Sequence, residues 1–245
     1  MRGFTRRRIK DGQKASRPGH LPPGISRHLR YNAPMATNPL YRSERLISYS
    51  DAIFSIALTL LVIEIKLPED LGHGLLAALG GSWPSLLSFI ISFLIITVVW
   101  FNHHEMFHHI RMVDYRLIIY NTLLMLNIIF IPYVSSILGR AFLLPPGESQ
   151  LACLIYGLWI ALGGLPFNLL WHHAVCHSEV FHEGVDTQML KSLSRHYWQG
   201  PALYFLAALG ALINIWISIG AYMLLILMFF VPGSALRKRR RGVNP

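Results

Sequence analysis

Residues 45–65 read RLISYSDAIFSIALTLLVIEI. An arginine and an aspartate stand at the mouth of an apolar helix that is long enough to cross a lipid bilayer. An ionised carboxylate is costly to bury in hydrocarbon, so such a group is usually paired or faces water. The stretch therefore predicts a transmembrane helix with a polar entrance.

The rest of the chain repeats this apolar pattern. Of its 245 residues, 53% are hydrophobic and 14% are charged, whereas about 25% are charged in a typical soluble domain. Long apolar blocks are separated by short polar breaks, which predicts an all-α polytopic membrane protein. The final block is too long for one span, and Gly210 and Asn214 offer a break within it. We therefore expect six transmembrane helices, at about residues 46–65, 83–101, 117–138 and 151–171 and in a hairpin of two short helices within 201–231.

The basic residues cluster at the two ends of the chain. Eleven of the 22 Lys and Arg residues precede Leu46, and five more lie at residues 237–241. With six spans, both ends of the chain lie on one side of the membrane together with 20 of the 22 Lys and Arg residues. This distribution predicts cytoplasmic termini in the cell (inner) membrane. It also predicts attraction to anionic lipid rather than nucleic-acid binding. The expected parts are a disordered basic tail (1–40), a six-helix transmembrane domain (41–233) and a basic cytoplasmic tail (234–245).

The first helix carries a stripe of branched side chains. Ile56, Leu60 and Ile63 fall within an arc of about 60° at the helical period, and Thr59 lies beside them. Such a stripe could line a narrow pore that dewets. It could equally pack against a neighbouring helix, where small and hydroxylated residues are common. Periodicity alone leaves both readings open.

The charged residues of the first helix need partners or water. Arg45 and Asp51 are not helical neighbours of each other, so each should find a partner on another helix. The candidates are Asp114 and the polar patch that holds Asn102, His103 and His104. We expect a polar network that orients the helix. At its other end, Glu64 either concentrates cations at a pore mouth or is simply solvated at the interface.

The remaining reactive side chains give no strong signal. Two histidine pairs have helical i,i+4 spacing, His104 with His108 and His173 with His177, and could serve in metal binding or pH sensing. No HExxH motif occurs and no cysteine joins either cluster, so we expect no metal and no cofactor. The two cysteines should be free thiols. No enzyme signature and no TVGYG filter are present, and we expect no enzyme activity.

Three sequence blocks resemble the bacterial homologues of the endosomal/lysosomal potassium channel, transmembrane protein 175. They are the R-x-x-x-Y-S-D signature that begins at Arg45, the block WFNHHxxF that begins at Trp100, and N-x5-N-x4-P from Asn121 to Pro132. The resemblance covers about residues 42–232 and agrees with six spans. Tyr49 departs from it, because the family usually has Phe at this position.

The resemblance implies a homotetramer in which the first helix of each subunit lines a central pore. Its apolar rings would match Ile56, Leu60 and Ile63, with Thr59 close by. The helix-holding signature would match Arg45, Tyr49, Ser50 and Asp51, together with Trp100, Asn102 and His103. The expected function is therefore a potassium-permeable cation channel, with proton permeation as a further possibility. A secondary or proton-coupled transporter and a non-conducting membrane scaffold are the alternatives.

Overall fold

The computed structural model describes residues 40–66, 74–182 and 187–230, all of which belong to one unit of the chain. The expected basic tails lie outside these residues, apart from residue 40 at the edge of the N-terminal tail. The described part is mostly helical, and the helices are α1 (Glu44–Ile63), α2 (Leu75–Gly81), α3 (Trp83–His109), α4 (Tyr115–Ala141), α5 (Pro146–Cys176), α6 (Thr187–Leu209) and α7 (Ile215–Phe230). Four of them, α1, α3, α4 and α5, are long and apolar enough to cross a membrane.

Local sequence explains where several helices begin. Asp114 caps α4, since its carboxylate accepts a hydrogen bond from the Leu117 N–H at 2.9 Å. Proline stands at the first positions of α3 and α5, where its missing N–H costs no helical hydrogen bond. Asn214 begins α7 by accepting from the Trp216 N–H at 2.8 Å.

The hairpin expected within residues 201–231 is present as α6 and α7. A short 3-10 turn at Gly210–Leu212 separates the two helices, next to the predicted break. However, α6 already begins at Thr187, and α7 has only 16 residues. The described part of the segment 172–199 is therefore largely helical.

Two further differences concern the connections. The polar patch after residue 101 is part of α3, which continues to His109, past the expected end of the second span. The short helix α2 was not predicted. A two-stranded antiparallel sheet was also missed, in which β1 (Tyr41–Arg42) pairs with β2 (Met112–Val113).

This sheet is part of a junction of three chain segments, which comprises residues 41–43, 109–113 and 180–182. The Ser43 N–H donates to the Arg111 carbonyl at 3.2 Å, and the Ser43 hydroxyl donates to the Ile110 carbonyl at 2.9 Å. The Arg111 N–H donates in turn to the Val180 carbonyl at 2.8 Å. The junction connects the start of α1 to the C-terminal end of α3, to the start of α4 and to the segment that follows α5.

The core lies between the long helices. α5 packs against α4 and α6, whereas α1 packs against α3 and α4. Close approach is possible at Gly157, where a Cβ atom would overlap the Tyr222 hydroxyl, and at Gly164, where it would overlap Pro201. This packing leaves α1 at the edge of the helix assembly.

Candidate functional site

The first helix has one buried stripe. Ser50, Phe54, Ala57 and Leu61 are its buried residues, and their spacing of four, three and four places them on one face. Phe54, Ala57 and Leu61 belong to the hydrophobic core of the described chain. This stripe fixes which side of α1 faces the rest of the subunit.

The opposite face of α1 is uncovered. It holds the four residues predicted to form a constriction: Ile56 is 49% exposed, Leu60 37% and Ile63 63%, and Thr59 is exposed as well. Thr59 donates its hydroxyl proton to the Ile56 carbonyl at 2.8 Å, so its polar group is satisfied within the helix. The surface of this face is therefore apolar, and the Thr59 hydroxyl on it already has a hydrogen-bond partner.

Among the four long apolar helices, α1 is the one least covered by its own subunit. Only 22% of the residues in its most apolar stretch are buried, compared with 39% in α3 and 50% in both α4 and α5. A helix with a wide apolar face must bury that face against lipid, against another subunit or around a dewetted pore.

A buried polar network orients α1. The Asn121 amide on α4 donates to the Ser50 hydroxyl at 2.9 Å, and His103 Nε2 on α3 lies 2.9 Å from the Asn121 amide oxygen. Because an amide oxygen only accepts, His103 must carry its proton on Nε2. The His103 ring also stands edge-on to Phe54, with ring centroids 5.5 Å apart. Three helices are thus joined through one asparagine.

Asp51 has a different partner from those expected. The Trp100 indole N–H donates to the Asp51 carboxylate at 2.9 Å, and this hydrogen bond lies at the exposed edge of α1 and α3. Arg45 and Tyr49 are exposed on α1. The guanidinium group of Arg45 makes no ion pair or hydrogen bond within the part of the chain that the structure describes. The structure thus has a buried network around Ser50, Asn121 and His103, whereas Asp51 and Trp100 form a separate pair.

Two of the proposed network residues serve elsewhere. Asn102 is buried, but its amide donates to the carbonyls of Val98 at 2.8 Å and Phe229 at 3.2 Å, which connects α3 to α7. Asp114 does not approach α1. It accepts a hydrogen bond from His173 Nε2 at 2.8 Å, which connects the start of α4 to the end of α5.

The Asp114 carboxylate is held in its charged form. Burial raises its pKa, but the Leu117 N–H and the His173 ring outweigh burial, and the pKa of Asp114 lies below its usual value. The sequence offered half of this signal, because an aspartate directly before a helix is a typical cap. Nothing in the sequence paired it with His173.

The remaining candidate residues lie on α1, α3 and α5. Glu64 is half-buried at the C-terminal cap of α1, beside the uncovered face. His104 and His108 are both exposed on α3, whereas His177 Nδ1 lies 2.9 Å from the His173 carbonyl. Among the described residues, no group of three or more His, Cys, Asp or Glu side chains is placed to hold a metal ion.

The chain is similar to known proteins. Residues 45–132, which contain α1 and the network, match the family described as endosomal/lysosomal potassium channel TMEM175. A relative from Chamaesiphon minutus, named as a potassium channel, is 32% identical over 195 residues, which cover 78% of this chain and 95% of the relative. The chain belongs to the TMEM175 family. This family consists of ion channels, which are not a class of enzyme.

A solved structure and a second relative are also similar to this chain. The crystal structure of a lysosomal potassium-selective channel TMEM175 homolog from Chamaesiphon minutus superposes with a TM-score of 0.69 at 31% identity, over 76% of this chain and 95% of that one. The endosomal/lysosomal proton channel TMEM175 of Gallus gallus is 27% identical over 203 residues, which cover 78% of this chain and 38% of the relative. The TMEM175 fold thus extends over most of the described chain.

Proposed function

We propose that this TMEM175-family chain is the subunit of a potassium-permeable cation channel whose pore is lined by the uncovered face of α1. The observation that carries the proposal is that face: it is apolar, continuous over about two helical turns and turned away from the core of its own subunit. In a family of ion channels, a symmetric assembly around this face leaves a narrow apolar passage on the axis.

Conduction would then depend on wetting. Rings of Ile56, Leu60 and Ile63 from the assembled subunits form a hydrophobic neck, and a hydrated or partly hydrated cation passes when water fills it. The chain contains no TVGYG sequence that would supply a carbonyl filter. Since no filter strips the hydration shell, we expect a modest preference for K⁺ over Na⁺.

The assembly we propose is a homotetramer in the cell (inner) membrane with both termini in the cytoplasm. The charge distribution supports this orientation, because basic residues are concentrated at the two ends of the chain. In this arrangement α6 and α7 are the fifth and sixth spans. Glu64 lies at the far mouth, where its carboxylate would raise the local cation concentration.

Proton permeation is a second part of the proposal. The Gallus gallus relative is named as a proton channel, and a neck that fills with water offers protons a path as well. Fluxes of H⁺ and K⁺ are separable, because a pH-sensitive dye inside liposomes reports protons while the K⁺ gradient is held at zero.

The decisive experiment places an amide in the neck. Ile56→Asn and Leu60→Asn should each stabilise water in the passage and raise K⁺ flux into liposomes, and they should weaken any preference over Na⁺. Flux is measured from purified protein in liposomes with a K⁺ gradient and a voltage-sensitive dye.

The structure supplies two controls for this experiment. Val62 is exposed at 56% but lies about 160° from Leu60 and about 120° from Ile56 on the helix wheel, so Val62→Asn should leave flux unchanged. Leu58 is partly buried against the core, so Leu58→Asn should weaken packing without raising flux. Equal flux changes at all four positions would assign the stripe to ordinary packing and refute the pore.

The same liposomes separate the alternatives. A flux that is linear in voltage and needs no second ion is the result expected of a channel. Saturating flux that requires a coupled ion would instead indicate a transporter. Protein that inserts and assembles but carries no ion in any variant would indicate a scaffold.

A further inference from the structure

A half-open pocket lies beside the junction of three chain segments, where the start of α1 meets the end of α3. Its volume is about 280 Å³. The polar part of its wall is formed by His104 and His108 of α3 and by Arg111 and His182, which lie in the segments that follow α3 and α5. All four residues are exposed, so a molecule at the surface can reach them. We refer to this region as the junction pocket.

The four polar side chains of the junction pocket are available to a ligand. Within the part of the chain that the structure describes, none of them makes a side-chain hydrogen bond or an ion pair. Arg111 has a permanent positive charge and five N–H donors, and each imidazole ring has at least one N–H. A set of N–H donors around a guanidinium is suited to the oxygens of a phosphate group.

The backbone that carries these side chains is fixed by the junction. The Arg111 N–H donates to the Val180 carbonyl at 2.8 Å, and the Arg111 carbonyl accepts from the Ser43 N–H at 3.2 Å. The His182 N–H donates to the His109 carbonyl at 3.2 Å. A ligand between Arg111 and His182 therefore has to order side chains but no backbone, which lowers the entropic cost of binding.

The charge of the junction pocket favours an anion. Glu44 is the only carboxylate among its described wall residues, and its Oε1 lies 3.8 Å from the Arg42 guanidinium. Because Arg42 balances Glu44, the charge of Arg111 has no opposing charge left in the wall. Any histidine that takes up a proton adds to this positive charge. The pocket therefore attracts anions more strongly than neutral molecules or cations.

The junction pocket lies at the depth of the lipid head groups. The apolar run of α3 ends at Phe101, and its neighbour Trp100 is 37% exposed, as is typical of tryptophan at the border of the apolar layer. His104 and His108 follow Phe101 by about 5 and 10 Å along the helix, at 1.5 Å per residue. Head groups occupy about 5–8 Å on each side of the hydrocarbon. The two histidines therefore stand at the two borders of the layer that holds the lipid phosphates.

We propose that the junction pocket binds the phosphate group of an anionic membrane phospholipid. The Arg111 guanidinium donates to two phosphate oxygens, and the imidazoles of the wall donate to the others. Ile47 is also in the wall and is half-buried, so it offers an apolar surface to the glycerol end of the lipid. This surface favours a phospholipid over a free phosphate ion. Ile47 lies about 180° from Ile56 on the helix wheel, so the site is separate from the proposed pore.

The test compares two phospholipids with the same acyl chains. Phosphatidylglycerol is an anion, whereas the choline group of phosphatidylcholine cancels the phosphate charge. Native mass spectrometry of the full chain in detergent counts the bound lipids and gives a dissociation constant for each. We expect the first phosphatidylglycerol per subunit to bind about tenfold more tightly than the first phosphatidylcholine.

Two arginine variants show whether this preference comes from the junction pocket. Arg111→Gln removes the permanent charge but leaves the backbone hydrogen bonds of the junction, so phosphatidylglycerol should bind about tenfold more weakly. Arg116→Gln is the matched control, because Arg116 is exposed at the start of α4 and is not in the wall. It should change the affinity by less than about twofold. The unfolding temperature of each variant in phosphatidylcholine checks that the fold is intact.

Three results would overturn the proposal. Equal affinities for the two lipids in the unaltered chain would show that the pocket does not select an anion. Equal losses in Arg111→Gln and Arg116→Gln would assign the preference to the overall positive charge of the chain. Inorganic phosphate is also added to the chain in phosphatidylcholine. A rise in unfolding temperature that Arg111→Gln abolishes, without any preference for phosphatidylglycerol, would assign the pocket to free phosphate. None of these measurements uses ion flux, so their outcome is independent of the proposed pore.

Discussion

At the scale of single residues, Asn121 is the point on which the position of α1 depends. It donates to Ser50 on α1 and accepts from His103 on α3. Asn121→Leu keeps the volume but leaves His103 without its partner in a buried site. We expect the free energy of unfolding to fall by about 1–3 kcal/mol, measured by thermal unfolding in detergent.

The neighbouring residue provides the control for Asn121→Leu. Thr122 is exposed, and its hydroxyl bonds only to the Ile118 carbonyl of its own helix. Thr122→Val should change the unfolding free energy by less than about 0.5 kcal/mol. If the two variants unfold alike, the network around Ser50 does not hold α1.

The Asp114–His173 pair gives a prediction in pH. The pKa of Asp114 is lowered in the folded chain, so its charged form contributes stability at pH values above its unfolded pKa of about 3.9. That contribution is lost as pH falls through the lower, folded pKa. Asp114→Asn should therefore remove part of the acid-side fall in unfolding temperature, recorded between about pH 3 and 7. Glu148→Gln, at an exposed carboxylate, should leave the curve unchanged.

At the scale of elements, the sequence predicted the apolar helices well and their ends poorly. α3 has 27 residues and is about 40 Å long, whereas the hydrocarbon layer is about 30 Å thick. A helix of this length can leave the apolar layer while it stays helical, and hydropathy cannot distinguish such an extension from a loop. The strands β1 and β2 have two residues each, which is too short for any alternating pattern to be read.

The uncovered face of α1 gives a prediction for the assembly of elements. Cys176 is exposed and Cys153 is buried, so Cys176→Ser leaves no exposed thiol among the described residues. In that background, Ile63→Cys should be linked to a second subunit by a short bis-maleimide, because copies of α1 would meet around the proposed pore. Leu224→Cys, which is 66% exposed on α7, should give only single chains on a denaturing gel. Linking at Leu224 and not at Ile63 would remove α1 from the axis.

At the scale of the whole molecule, the contacts that define the candidate site join distant parts of the chain. Ser50 and Asn121 are 71 residues apart, and Asp114 and His173 are 59 apart. The types of residue indicated that each buried polar group needed a partner. Several other polar residues could have been that partner, so the sequence did not identify it. Asn102 was expected beside α1 for this reason, and its amide instead connects α3 to α7.

The proposed assembly has a definite number of subunits. We expect native mass spectrometry of the detergent-released protein to give four copies of the chain. The Asn121→Leu variant should shift this distribution towards single chains, because a loosened α1 presents its outer face less well. A predominant species with any other copy number would exclude the homotetramer.

The junction at Ser43 makes α1 a lever with one fixed end. Backbone hydrogen bonds to other segments hold residues 41–43, whereas at the other end the described hydrogen bonds of the Glu64 backbone N–H go to Leu61 and Val62, in the last turn of α1 itself. A rigid tilt of α1 about Ser43 would displace each residue in proportion to its distance from that pivot, at about 1.5 Å per residue. Ile63 would then swing roughly 1.5 times as far as Ile56. Opening by tilt would widen the passage from its far mouth inward, and the ring nearest the pivot would be the last to part.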